Sequence, residues 1–580
     1  MRTTLFTTRS ETMKFYFPAI AAALFCCLSC VEIDTELGGS LIPVDQTYTI
    51  HPAEEALPYG SVMELPADSL SGYSQTRITI GAIRDEKFGL TTRSCALTLV
   101  PVEDTLDFGN LAAVKVRRFH FAAAFDTVSV ASESQKHILQ NVRVHSLSAP
   151  MQPGRDYNCN GNTISVDLGK SIVKGSPTIN GSDSLSFDFT EEYAKRFLAI
   201  TQEDLGDFKK FSRKIPGIHI STEEPLGNGG RINIFDLQLG YDSELKYVTG
   251  NYAMLNLLCD YDNDGKPEKD TAFFFAFGFM DFTDTDSLFT NSSRGNYPEF
   301  SLNLTGHESE TLAGKAEELI SVEGGGGLKP VVSALELKHL AESLIIAEGG
   351  DPRGAVINKA SLVFPFVFPD DYREMERYPY MLSPTCRIRQ NDSTVVFAVL
   401  TDASSADENQ GIVNRSTLRY EPDITYHLQE LLKIKETPEE NESSNDALKR
   451  SKLLGGEYDI WLTINAHEVI ETSSSSSSSL SDYYQYLMYQ QYYNNMYYGG
   501  YGGYGYGGYG YGGYGYDPYS NYYSYYLMAS MYSNQGTSES YQDLLDKDRY
   551  YNAVLCGPKY PDATLRPVFR LTFSLPNQER

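Results

Sequence analysis

Tryptophan is nearly missing from this chain: there is one, Trp461, beside 42 tyrosines and 29 phenylalanines in 580 residues. Sugar platforms favour exposed tryptophan, so a lone Trp461 inside a predicted strand, Trp461 to Ile464, counts against glycan capture, although the tyrosines partly restore that option. Basic residues are scarce as well. Lys and Arg number 48 against 76 Asp and Glu, for a net charge of −28, and a surface of that sign is repelled by nucleic acid and by anionic lipid. No stretch is long and apolar enough to span a bilayer. Gly-x-Ser-x-Gly, His-Glu-x-x-His, a P-loop and a Gly-x-Gly-x-x-Gly after a strand are all lacking, and no Cys-x-x-Cys occurs beyond Cys30, which removes the usual sequence signatures of hydrolase, zinc protease and nucleotide chemistry and, from the body of the chain, that of thiol redox. Gly324 to Gly327 before Lys329 lacks the Lys-Ser or Lys-Thr of a phosphate loop and reads as a crossing loop. Carboxylate pairs of the glycosidase kind are set by three-dimensional spacing, so the sequence leaves hydrolysis as a minor alternative without supporting it.

What is present at the N-terminus is a secretory signal. Lys14 precedes the apolar run Phe15 to Ser29, and Leu28-Ser29 is followed by Cys30, a charged n-region, a short h-region and a small residue before the cut. Leu-Ser-Cys resembles a bacterial lipobox, in which the cysteine is lipidated and becomes the first residue after cleavage; the competing reading is an ordinary signal with an incidental Cys30. Met13 fits as the start better than Met1 because it gives a compact n-region. Glu32, Asp34 and Glu36 follow at once, resembling the acidic export tag of surface lipoproteins. Losing residues 1–29 removes Arg2, Arg9, Lys14 and Glu11 and takes the net charge to about −30. Of eight cysteines, Cys95, Cys159, Cys259, Cys386 and Cys556 remain, scattered and odd in number, and are expected to be small buried residues.

The body reads as mainly β. Runs such as Arg77 to Ile83, His137 to Val144, Thr163 to Leu168, Val395 to Leu400 and Arg566 to Phe573 are short, β-branched or aromatic, and bounded by turn formers. Helices are expected at Glu191 to Ile200, Ala334 to Ile346 and Ile424 to Lys433, with Thr190 capping the first through its hydroxyl. Two of these units match. Ser186 to Thr190 leads into the helix from Glu191, Tyr420 to Thr425 leads into the helix from Tyr426, and Val114 to Phe121 and Asn358 to Phe366 occupy corresponding upstream places. The pattern predicts tandem β-sandwich, jelly-roll-like modules, against the alternative of chance likeness. The expected order is signal peptide 1–29, acidic tether 30–70, first module 71–250, connecting β-rich region 251–350 and second module 351–580, with an insertion at 471–548.

The acidic residues after Cys30 with Leu37-Gly-Gly-Ser-Leu41, Phe88-Gly89 after a strand, Pro216-Gly217-Ile218, the glycine run between Ile320 and Pro330, Gly354-Ala-Val-Ile-Asn-Lys-Ala360 and the closing Arg566-Pro-Val-Phe-Arg570 together resemble the domain-of-unknown-function 4270 family of Bacteroidota lipoproteins. The resemblance covers nearly the whole chain after Cys30. It implies an outer-membrane lipoprotein without an assigned catalytic site. Beyond Cys30 there are no family residues to carry over, and the insertion departs from the family pattern.

That insertion holds a serine run, Ser473 to Ser479, then half of all the tyrosines between Tyr483 and Tyr532, with Gly-Gly-Tyr-Gly-Tyr three times in succession from Gly502; Asp517 is the one charge between Tyr483 and Ser538. Trp461 to Ile464 and Tyr550 to Leu555 read as the flanking strands, and glycine-rich chain loses much entropy on ordering and offers little to pack, which favours an idle loop at the tip of their hairpin. Tyrosine supplies large amphipathic contact area at low rotamer cost, which favours a partner surface; on that reading Tyr483, Tyr486, Tyr493, Tyr504, Tyr509, Tyr514, Tyr523 and Tyr526 carry the contacts. A second candidate is calcium. Asp260, Asp262 and Asp264 precede Gly265, with Glu268 and Asp270 close behind, and calcium takes several carboxylate oxygens around a tight turn. Thr271 stands where an EF-hand has its bidentate Glu and the flanks are strands, so the alternative is a solvated hairpin turn.

These features lead to three functions: a non-catalytic accessory or structural subunit of an outer-membrane protein complex, such as the β-barrel assembly machinery; glycan capture for a nutrient importer; and hydrolysis. The first is the expectation, with outer-membrane proteins or other lipoproteins as partners, no nucleic acid, and attachment through the lipid of Cys30 alone, on the extracellular face.

Overall fold

A computed structural model of the chain describes residues 48–57, 60–64, 72, 77–101, 105–151, 157–159, 164–236, 239–242, 247–250, 252–277, 301–308, 314–315, 317–389, 395–402, 411–440, 442–470, 540–545 and 548–576. The chain divides into two compact units, residues 1–51 with 574–580, and residues 52–573. In the first, residues 48–51 and 574–576 are extended strand ends. The second holds both β-modules. Strand exceeds helix by 46% to 19%, so the mainly β, sandwich-like class expected from the short alternating runs is the one found.

The first module has two antiparallel sheets. The larger runs Thr178–Ile179, Gln140–Leu147, Ile218–Thr222, Gly89–Leu97, Arg77–Asp85, Gly229–Asp236, Phe125–Val130, with Ser301–His307 added on Gly89–Leu97 and Val166–Ser171 on Gln140–Leu147. The smaller runs Leu185–Asp188, Lys115–Ala123, Tyr252–Cys259, Lys269–Ala276, Val100–Pro101. Side chains alternate across a strand, and Tyr252–Cys259 follows that rule strictly: Ala253, Leu255, Leu257 and Cys259 are buried and the residues between them are not. Their buried face joins Ile78, Ile80, Leu97, Phe119, Phe121 and Val144 in one core between the sheets. The stretch expected to connect the modules therefore supplies three strands of the first one: Leu255 opposes Phe119 in register, Lys269–Ala276 pairs beside it, and Leu302 opposes Ala96 in the larger sheet.

The second module is assembled from distant pieces. Its larger sheet runs Gly314–Lys315, Gly60–Glu64, Leu328–Val332, Ile460–Ile470, Met381–Arg389, Val395–Val399, with Ser540–Leu545 added on Ile460–Ile470. A second sheet runs from the strand ending at Ala56 through the strand beginning at Val568 and Val356–Pro365 to Arg419–Tyr420. Asn552–Cys556, predicted as a strand at Tyr550 to Leu555, pairs with Leu319–Glu323. The hairpin expected around the insertion is closed instead by Ile460–Ile470 and Ser540–Leu545, in register from Asn465↔Leu545 to Ile470↔Ser540.

The three predicted helices are present as Glu191–Leu198, Ala334–Ala347 and Thr425–Lys433. Gln202–Leu205, Phe208–Lys214 and Ser444–Leu454 are further helices that the sequence reading did not mark. Thr190 caps the first as expected, its hydroxyl accepting from the Tyr193 amide at 3.3 Å. The five cysteines are buried thiols, as expected; burial pushes the Cys95 and Cys386 thiols well up, and Cys556 up to about 11, which keeps these three protonated and inert. Trp461 is buried and meets Phe397 edge-on at 5.6 Å, so the one indole offers no sugar platform.

Candidate functional site

The Asp260 loop caps the hairpin of Tyr252–Cys259 and Lys269–Ala276, which closes at Cys259↔Lys269. Asp260 is buried, and its carboxylate is turned into the loop: one oxygen accepts from the Asp264 amide at 3.2 Å, the other from the Gly265 amide at 2.9 Å and the Asn110 side-chain amide at 3.0 Å. Burial would raise this carboxyl, but these bonds outweigh it and hold it below the usual range. Asn263 and Gly265 take positive φ, 56° and 83°, so the chain doubles back where the glycine was expected to let it. The remaining acids turn elsewhere. Asp264 accepts from the Lys266 amide at 2.8 Å, Asp270 lies 3.4 Å from Arg117, and Asp262 and Glu268 are exposed. The structure thus brings the five residues onto one hairpin end without converging them on a common point.

Among the described residues, the group whose ligand atoms do lie within 4.8 Å of one another is His339, Glu342 and Glu436. Lys338, buried on the same helix, places its ammonium 2.6 Å from Glu342 and 2.7 Å from Glu436, and His339 Nε2 lies 2.9 and 3.0 Å from the two Glu436 oxygens. The charge a divalent ion would bring is supplied by the lysine. Burial works to raise Glu436, and Lys338 and His339 together hold it low.

The glycine run is a crossing loop, as the sequence suggested. Lys329 turns inward and donates to the carbonyls of Glu323, Gly325 and Gly327, the last two at 3.1 Å, while a Glu323 carboxylate oxygen accepts from the Leu328 amide at 3.2 Å. A Cβ on Gly327 would come within 2.6 Å of Glu323, so the close approach needs glycine. Burial pushes the Lys329 ammonium down to about 7 against the opposing pull of Glu323. The loop sits where the modules meet: Arg93 and His307 of the first sandwich reach it, His307 Nδ1 standing 3.6 Å from Glu323. A lysine spent on its own loop's carbonyls has no donor left for phosphate.

An open cleft of about 200 Å³ on the first module is lined by Gln135, Ile138, Leu139, Gln140, Glu223 and Arg231, among others. Arg231 is its floor. It is fully buried and donates to the carbonyls of Lys136 at 2.6 Å, Ile138 at 2.8 Å and Ile179 at 3.0 Å, and to the Asn233 side chain at 2.7 Å; burial pushes its guanidinium down to about 10. The bonds to the Lys136 and Ile138 carbonyls pin residues 135–138 against the sheet. Ile138, Leu139 and Leu226 stand exposed nearby. Sequence reading missed this feature, although Arg231 and Asn233 inside an otherwise apolar strand were a visible sign of a buried polar anchor.

Cys30 and the tyrosines Tyr483, Tyr486, Tyr493, Tyr504, Tyr509, Tyr514, Tyr523 and Tyr526 lie outside the described residues. Among the described residues no helix is long and apolar enough to cross a membrane. No family model, no curated protein and no solved structure matches the chain.

Proposed function

We propose that this protein is a non-catalytic lipoprotein of the outer membrane, anchored through Cys30 with its body on the outer face, serving as an accessory or structural subunit of an outer-membrane protein complex. The observation that carries the reading is Leu28-Ser29-Cys30 after a short apolar run, followed by Glu32, Asp34 and Glu36: an address for the membrane surface with no apolar segment long enough to serve as a second anchor. The Bacteroidota family resemblance agrees with it, and the β-barrel assembly machinery is the complex it suggests. The disposition of the polar groups also supports a scaffold. Asp260, Lys329, Arg231 and Lys338 are each committed to the fold's own carbonyls, amides and carboxylates, and the one tryptophan is inside, which leaves glycan capture the weaker reading.

Two experiments test this. Cys30→Ala should release the protein from outer membranes on fractionation; an Ala variant that still pellets and survives a carbonate wash would sink the anchor. Affinity purification of the full chain from mild detergent should recover an outer-membrane barrel protein or another lipoprotein, and deletion of residues 473–538 should remove that partner while leaving expression and melting temperature as they were. An unchanged partner list would mark the insertion as an idle loop, and recovery of an importer with its glycan-binding protein would move the function to nutrient uptake.

A further inference from the structure

On the larger sheet of the first module, one row of paired residues crosses five strands: Ser171, His145, His219, Ala96 and Leu302. Val144, Ile218 and Ile220, the sequence neighbours of the two histidines, are buried in the inter-sheet core, so alternation puts both imidazoles together on the opposite face. Directly opposed residues of an antiparallel pair hold their Cβ atoms about 4.5–5.5 Å apart, a spacing that two imidazoles bridge through one ion at about 2.0–2.1 Å from each nitrogen. The flanking residues, Ser171 and Ala96, are small. Nδ1 of His145 and Nδ1 of His219 are both buried and, among the described residues, both lack a hydrogen-bond partner. Buried polar nitrogens are ordinarily satisfied, and two adjacent exceptions call for an explanation.

We propose that His145 and His219 form the imidazole pair of a binding site for a divalent transition-metal ion of the zinc and copper class. Imidazole suits these ions, which bind its neutral form. Burial, with the positive charge of Arg143, holds His145 below its ordinary range, and burial with the His145 neighbour brings His219 down to about 4, so both are neutral at pH 7. The Asp167 carboxylate acts on His145 from the adjoining strand Val166–Ser171, and the nearby Arg143 is already paired with Glu223 at 2.9 Å. This differs from the His339 cluster, where a lysine ammonium stands between the carboxylates.

The test is titration of the metal-free full chain at pH 7 with Zn²⁺ and, separately, Cu²⁺. One equivalent should bind, raise the melting temperature and give a Cu²⁺ electron paramagnetic resonance spectrum with nitrogen coupling from two imidazoles. His145→Gln and His219→Gln should each weaken binding by roughly 10- to 100-fold or more, the loss that outer-shell changes alone bring to metal sites, and His339→Gln should leave it unchanged. Absence of binding, a copper spectrum without imidazole nitrogen, or loss in His339→Gln with retention in the pair variants would overturn the site. The wild-type spectrum decides even where a variant fails to fold.

Discussion

The two modules each contain a strand, a short antiparallel partner and a helix laid back on them, built to the same plan from different chemistry. In the first, Lys115–Ala123 pairs with Leu185–Asp188 and the helix Glu191–Leu198 follows; in the second, Val356–Pro365 pairs with Arg419–Tyr420 and the helix Thr425–Lys433 follows. The first is packed with rings: Phe121 stacks on Phe187 at 4.7 Å, Phe119 meets Phe197 edge-on at 4.9 Å, and Tyr193 and Phe197 descend from the helix. In the second, Leu428, Leu431 and Leu432 of the helix are buried, Leu431 in an aliphatic cluster with Ala334, Ile434 and Leu453. The sharper difference is at the helix start. Thr190 caps the first helix from the adjoining residue. The second has Ile424 at that position, which makes no side-chain cap; Asp423 accepts only from the Thr425 amide, at 2.9 Å, and the buried carboxylate of Asp402 takes the next two, from Tyr426 and His427, the latter at 3.0 Å. Asp402 carries its negative charge to the positive end of the helix from 24 residues upstream of Tyr426. One plan thus tolerates either a local or a long-range solution to the same orphaned amides.

Four measurements break or sharpen that comparison. Asp402→Ala strips two amides of their buried acceptor and should cost about 2–4 kcal/mol in denaturant unfolding. Acid should also strike the second module through His427, buried and donating to the Tyr458 carbonyl at 3.1 Å. Burial brings this imidazole down from 6.5 to about 4. Between those values the unfolded chain takes up a proton that the folded one refuses, so stability is full above about pH 6.5 and is lost as pH falls through about 4, by roughly 3 kcal/mol. His427→Gln should flatten that slope, and His219→Gln should remove the similar share that His219 adds from the first module. Thr190→Ala, which loses one local cap, should cost about 1 kcal/mol; a cost equal to that of Asp402→Ala would erase the distinction between the two solutions. Smallest of all is the Asp260 loop, whose buried carboxylate is already satisfied by Asn110 and the loop amides. Melts with calcium and with excess chelator should coincide, and a calcium-dependent rise abolished by Asp262→Ala would show that the loop rearranges into a metal site.

What was legible in the sequence follows the reach of each interaction. Thr190 could be read because its hydroxyl acts on an amide three residues away, and the mainly β class could be read because alternation is local. Asp402 could not, since nothing near it in sequence marks the helix it serves. Asn552–Cys556 was visible as a strand, but its pairing with Leu319–Glu323 depends on a choice among many edges. Likewise Asp260, Asp262 and Asp264 were visible as a spacing, whereas the Asp260 carboxylate is held in the loop by Asn110, and the neighbouring Asp270 is drawn to Arg117, both far away in the chain. His145 and His219 become neighbours only once their strands are in register.

The closing hairpin has a consequence for how this chain can change over time. Ile470 and Ser540 face one another at the end of a paired ladder, so the backbone departs from and returns to the same place on the sheet. Closure entropy grows only logarithmically with the length enclosed, and strand register is set below that point by Asn465↔Leu545 onward. The pair is therefore a splice point. Descendants of this gene can lengthen, shorten or exchange what lies between residues 470 and 540 while the β-module beneath keeps its shape, and a new surface specificity can be acquired there without renegotiating the fold.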